Sequence, residues 1–133
     1  MNRMFKFFAI ALLALPLLVK AQCDLPQPYT GNTGSNMTLF LGSQVIDALP
    51  ISSDSPYVVA ISTGGLIVGS ASVASTDLIG GQQSIGVWGD DTGTPEIDGL
   101  LAGEEITLQL VDGNSLYDLN LTFGGPNTCL LYT

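Results

Sequence analysis

The sequence predicts an all-β domain, an antiparallel β-sandwich of seven or eight short strands. Three observations carry that prediction. Apolar and polar residues alternate with period two in several short runs, the spacing of a strand with one buried face. Gly, Asp, Asn and Pro, the residues that favour turns, separate those runs. The chain has 16 glycines, all beyond residue 21, a density that disfavours long helices.

Residues 1–21 read as a secretory signal peptide. Arg3 and Lys6 give it a basic start, 7–19 is an apolar run broken only by Pro16, and Val19-Lys20-Ala21 offers a cleavage site. The apolar run is short of the roughly 20 residues needed to span a bilayer. A retained membrane anchor and a lipoprotein acylated at Cys23 are the alternatives to cleavage. The mature chain then carries no transmembrane anchor. Residues 22–35, including QPYTGNTGS over 27–35, form a polar, irregular lead-in. Residues 36–133 form a single domain.

The strands follow in order. The run 37–41 places Met37, Leu39 and Leu41 on one face, and 44–46 is a short candidate. The runs 57–62 (YVVAIS) and 66–73 (LIVGSASV) flank Thr63-Gly64-Gly65, a tight hairpin signal. In 84–88, Ile85 and Val87 face one way and Ser84, Gly86 and Trp88 the other. The run 105–111 alternates through Ile106, Leu108 and Leu110, and Asp112-Gly113-Asn114 marks a turn. A return strand over 116–123 follows, and 130–132 is expected to close an edge. The sandwich is expected to be immunoglobulin-like or jelly-roll-like.

Charge narrows the function. The chain holds three basic and twelve acidic side chains and no His. The basic ones are Arg3, Lys6 and Lys20, so the mature region has no cationic side chain. It has no basic patch for phosphates, which argues against nucleic acid. It also lacks the His or Lys of a Ser-His-Asp triad, a Cys-His pair or a Schiff base. Cys23 and Cys129 are the only cysteines and bracket the mature chain. In an oxidising compartment one bridge between them is expected, with free thiols or links between chains as alternatives. Closing so long a loop stabilises a fold by about 4–5 kcal/mol in the chain-entropy account.

Six carboxylates fall between two strands: Asp90, Asp91, Glu96, Asp98, Glu104 and Glu105. Without cationic neighbours they are diluted by solvent or neutralised by a bound ion. Hard oxygen ligands on a Gly-containing loop suit Ca²⁺. The spacing is not that of an EF-hand, because Thr94 and Pro95 fall at its first two positions and strands flank the loop. A solvated acidic loop and a Ca²⁺ site both remain open. Asp91-Thr92-Gly93 is the tripeptide of aspartic proteases, whose two carboxylates share a proton. Gly89-Asp90 before it and Thr94-Pro95 after it depart from that family's surroundings.

The segments Gly64-Gly65-Leu66-Ile67-Val68-Gly69-Ser70-Ala71, Val87-Trp88-Gly89-Asp90-Asp91, Thr94-Pro95-Glu96-Ile97-Asp98-Gly99 and Gly103-Glu104-Glu105-Ile106-Thr107-Leu108 carry a resemblance. The chain resembles, over 36–123, the small β-sandwich repeat modules of secreted and cell-surface proteins of Bacteroidetes-type bacteria. That resemblance implies a non-catalytic extracellular role in adhesion, surface structure or ligand contact.

The expected function is therefore a secreted, non-enzymatic structural or adhesive subunit at the cell surface, disulfide-closed and Ca²⁺-stabilised. Its expected partners are further copies of itself or other surface proteins. The lead-in and the apolar 130–132 are candidates for pairing with a neighbouring sheet edge. A carbohydrate-binding module is the alternative. There Trp88 would stack on a sugar of a polysaccharide, against the plainer reading of a partly buried Trp that fixes the end of the sheet. A dimeric aspartic protease using Asp91-Thr92-Gly93 is the third reading.

Overall fold

Period-two alternation becomes strands in the computed structural model, which describes residues 24–122. The elements are β1 (Asn36–Leu41), α1 (Ser43–Ala48), β2 (Tyr57–Ser62), β3 (Ile67–Ser72), β4 (Gln83–Trp88), β5 (Ile106–Asp112) and β6 (Ser115–Leu119). The protein is mostly antiparallel β-sheet, as expected. Among the described residues the strands number six and lie in one sheet, ordered β1-β4-β3-β2-β5-β6. The sequence predicted seven or eight strands in two sheets. The residues between β1 and β2 fold as α1 and an irregular turn, and α1 packs on the core face of this sheet.

The strand expected over 44–46 lies inside that helix. Val45 and Ile46 with Leu49 sit one turn apart and pack on the sheet. The Gly42 carbonyl starts the turn by accepting the N–H groups of Val45 (2.9 Å) and Ile46 (3.1 Å). A helix of six residues is held by such packing and not by propensity, so its period is too brief to read. The return strand stops at Leu119, short of the expected 123. The leader 1–21, Cys23, Cys129 and the strand expected over 130–132 lie outside the described residues.

Cross-strand register decides which side chains meet. Leu39 lies opposite Ile85, Met37 opposite Val87, Ala60 opposite Leu108 and Val58 opposite Leu110. These face one side and, with Leu41, Val68, Val73, Ile46 and Leu100, form the main core. A bulge refines it. Ala60 pairs with Gly69 but Ile61 pairs with Ile67, so Val68 is an extra residue on β3. The bulge brings Val68 to full burial within that core.

The opposite face has a smaller cover. Val59 and Val111 alternate out of the main core yet are 0% and 2% exposed. The lead-in 24–35 crosses this side as a strap. The Tyr57 hydroxyl donates to the Pro26 carbonyl (2.8 Å), and the Tyr29 N–H donates to the Ser70 hydroxyl (2.8 Å). Ser70 pairs with Val59, so this contact lies beside the buried valine. At the strap's base Gly89 N–H donates to the Ser35 carbonyl (2.9 Å), and the Thr33 hydroxyl donates to the Gly89 carbonyl.

Candidate functional site

The acidic segment 89–105 leaves β4 at Trp88 and must pass the ends of β3 and β2 to enter β5 on the far side of β2. It is anchored at once. Gly89 and Leu100 form an isolated parallel bridge, with Leu100 N–H donating to the Trp88 carbonyl and Asp90 N–H to the Leu100 carbonyl, both at 2.9 Å. Leu100, 3% exposed, belongs to the main core. Its burial fixes the neck of the loop. Gly99 at that neck lies so close to the Gly89 carbonyl that a side chain would collide with it.

Within the loop, carboxylates hold the backbone. Asp90 accepts the Asp98 N–H (2.9 Å) and Asp98 accepts the Asp91 N–H (3.1 Å), a reciprocal pair across the neck. Asp91 accepts the Gly93 N–H (2.8 Å), the local turn that short carboxylates favour. The Thr94 hydroxyl donates to the Asp91 carbonyl (2.9 Å). Glu104 reaches the β2–β3 hairpin. Its two oxygens accept the N–H groups of Gly64 (3.0 Å) and Leu101 (3.1 Å). These two bonds hold the Glu104 carboxyl below the usual carboxylate range.

The structure thus brings Asp90, Asp91 and Asp98 together, takes Glu104 to the hairpin, and leaves Glu96 and Glu105 exposed. Among the described residues no three carboxylates converge as a ready-made metal group. Asp91-Thr92-Gly93 sits in this loop with its carboxylate turned to Gly93. Trp88 is half-buried at the end of β4, opposite Asn36, on the strap's side of the sheet. Its indole nitrogen lies back over Gly86.

Two features were not legible in the sequence. Asp112, read as a turn residue, is 3% exposed at the opposite end of the sheet. It accepts the backbone N–H groups of Ser52 and Ser53 (both 2.8 Å) and both hydroxyls, that of Ser52 at 2.6 Å. Those donors, the Ser52 and Ser53 hydroxyls foremost, hold its carboxyl well below the usual range. The partners are some 60 residues apart in the chain, and nothing local signals the pairing. The second feature is Tyr29. Burial, and secondarily the charge of Asp98, pushes its phenol above the ordinary value; the bonds of Thr33 and Ser35 to Gly89 hold the strap beside the acidic loop.

Two shallow grooves lie elsewhere. One, of about 320 Å³, runs between α1 and the end of β6 and is lined by Val45, Leu49, Leu119 and Leu121. The other, of about 400 Å³, is lined by Ile46, Ile51, Val73 and Leu78. No described helix is long and apolar enough to cross a membrane. Compared with known proteins, the chain matches no family model, no curated protein and no solved structure.

Proposed function

We propose that this protein is a secreted, non-enzymatic β-sheet subunit with a structural or adhesive role outside the cell, and that it associates with copies of itself. One observation carries the reading. The side chains that the sequence nominates for chemistry serve the architecture: Asp90, Asp91 and Asp98 accept backbone N–H groups within one long loop, and Glu104 accepts one from the β2–β3 hairpin. Carboxylates so used make a rigid acidic surface. The leader 1–21 supplies the export part of the proposal. A bridge from Cys23 to Cys129 would close the chain ends. A strand from 130–132, and with it the fuller sandwich, belongs to the same proposal.

In this reading Ca²⁺ stabilises the acidic loop. Asp90, Asp91 and Asp98 are the carboxylates it would draw on, and they would have to move closer together than they stand here to share it with backbone carbonyls and water. An ion that binds only the folded state raises its stability by mass action. The melting temperature is therefore expected to be higher in millimolar Ca²⁺ than in EDTA at equal ionic strength. Equal values in the two buffers would remove the ion. Electron microscopy and sedimentation of the purified protein test the assembly. Single particles of monomer size under every salt and Ca²⁺ condition would end the structural-subunit reading.

A further inference from the structure

On the core face, the cover formed by α1 stops short of the sheet edge at β6. Val45 and Leu49 on one side and Leu119 and Leu121 on the other are half-buried and pack against the main core. The groove of about 320 Å³ runs between them, with Gln44 and Asp118 at its rim. It is continuous with the core, because Leu119 lies opposite the buried Leu108. Among the described residues none covers this apolar strip, and the fold would gain by removing it from water.

Three observations point to its occupant. The first is where the chain leaves. Leu121 belongs to the groove wall and Thr122 is the last described residue, so residues 123–133 begin at the groove itself. The second is composition. The segment FGGPNTCLLYT has no charged side chain, so it passes Asp118 without like-charge repulsion, and Leu130, Leu131 and Tyr132 supply apolar groups. The third is reach. Gly124-Gly125-Pro126 is a turn signal, and the chain from Thr122 to Leu130 spans at most roughly 25–30 Å, enough to leave the groove and fold back into it.

We propose that residues 130–132 of the same molecule dock in the groove between α1 and β6 and complete the core face. This rests on the reading above that 130–132 joins the fold, and names the surface that receives it. The connection gives the segment an effective concentration on the order of millimolar, an advantage over any separate partner. The arrangement agrees with a bridge from Cys23 to Cys129. Pro50 on the groove lies two residues before Ser52, which holds Asp112. The neighbouring Val111 pairs with Tyr57, whose hydroxyl holds Pro26 at the start of the strap. The Pro50 end of the groove and the strap's start therefore share one end of the sheet.

The test is nuclear magnetic resonance of the full chain with labelled Val and Leu methyl groups. Nuclear Overhauser contacts are expected between the methyls of Leu130 or Leu131 and those of Val45, Leu49 or Leu121. The double variant Leu130→Ser, Leu131→Ser is expected to shift the Val45 and Leu49 methyls, to leave the contacts between Val58 and Leu110 in place, and to melt about 5–10 °C lower. Leu131→Ala replaces it if the double variant does not fold. No contact between 130–131 and the groove in the folded wild type overturns the proposal, as does an unchanged melting temperature in the variant. Contacts that arise only between a labelled and an unlabelled copy overturn it in favour of a second molecule as occupant. Slow amide exchange over 130–132 without contacts to the groove overturns the groove as the site and leaves the edge strand standing. Sedimentation reads self-association separately, so that reading stands or falls independently of these contacts.

Discussion

At the scale of single residues, Asp112 gives the sharpest expectation. Its carboxylate gathers four donors from Ser52 and Ser53, and they hold its pKa below that of the unfolded chain. The stability it contributes is fully present above the unfolded carboxylate pKa of about 4 and is lost as pH falls through the lower folded value. Thermal melts from pH 7 downward are expected to show the wild type losing stability in the acid range. Asp112→Asn should begin less stable at pH 7 and show a shallower acid dependence. Parallel curves for the two proteins would refute the assignment. Gly69 gives a second test. It lies opposite both Ala60 and Val87, and a Cβ there would press on the Gly86 carbonyl. Gly69→Ala is expected to destabilise the fold by about 1–3 kcal/mol through overpacking, measured by urea unfolding.

At the scale of elements, the central strands carry the stability. β2 and β5 are paired on both sides and place Val58, Ala60, Leu108 and Leu110 in the core. Leu110→Ala, which opens a cavity at a fully buried position, is expected to cost about 2–5 kcal/mol. Leu116→Ala on the edge strand β6, where the side chain is 43% exposed, should stay within about 0.5 kcal/mol. Hydrogen exchange should rank the same elements, with amides of β2 and β5 slowest and those of β6 faster. Uniform exchange across all six strands would contradict this ordering. The loop 89–105 belongs with the ordered elements because Leu100 is anchored in the core and Glu104 is bonded to the β2–β3 hairpin.

At the scale of the whole molecule, charge is one-sided. All twelve carboxylates fall within the described residues, which contain no Lys, Arg or His. Side-chain ion pairs are therefore impossible there, and repulsion among like charges opposes folding. Neutral salt that binds no particular site is expected to raise the melting temperature at pH 7, because the screening length falls from about 10 Å at 0.1 M to about 3 Å at 1 M. A melting temperature that does not rise across that range would mean the hydrogen bonds of the loop already offset the repulsion. The two ends of the sheet manage charge alike: Asp90 and Asp98 at one, Asp112 at the other, each faced by backbone N–H groups in place of cations.

The chain alone reveals its strands, because alternation over 84–88 and 105–110 is a local property that burial then satisfies, and the continuous apolar run 57–61 is buried on both faces of the sheet. It reveals both hairpins, since Thr63-Gly64-Gly65 and Asp112-Gly113-Asn114 join neighbours in sequence that are also neighbours in the sheet. It reveals that the acidic residues concentrate on one loop and that Trp88 faces away from Ile85 and Val87. Helix α1, the placing of β1 beside β4 and the order of the six described strands were decided by tertiary packing. A six-residue helix has no readable period, and strand order is set by which apolar faces can be covered together. The roles of the carboxylates were decided there too. Asp112 with Ser52 and Ser53, Glu104 with Gly64, and Tyr29 with Ser70 meet across 40 to 60 residues. Such hydrogen bonds exist only once the sheet has brought distant backbone donors within 3 Å of them.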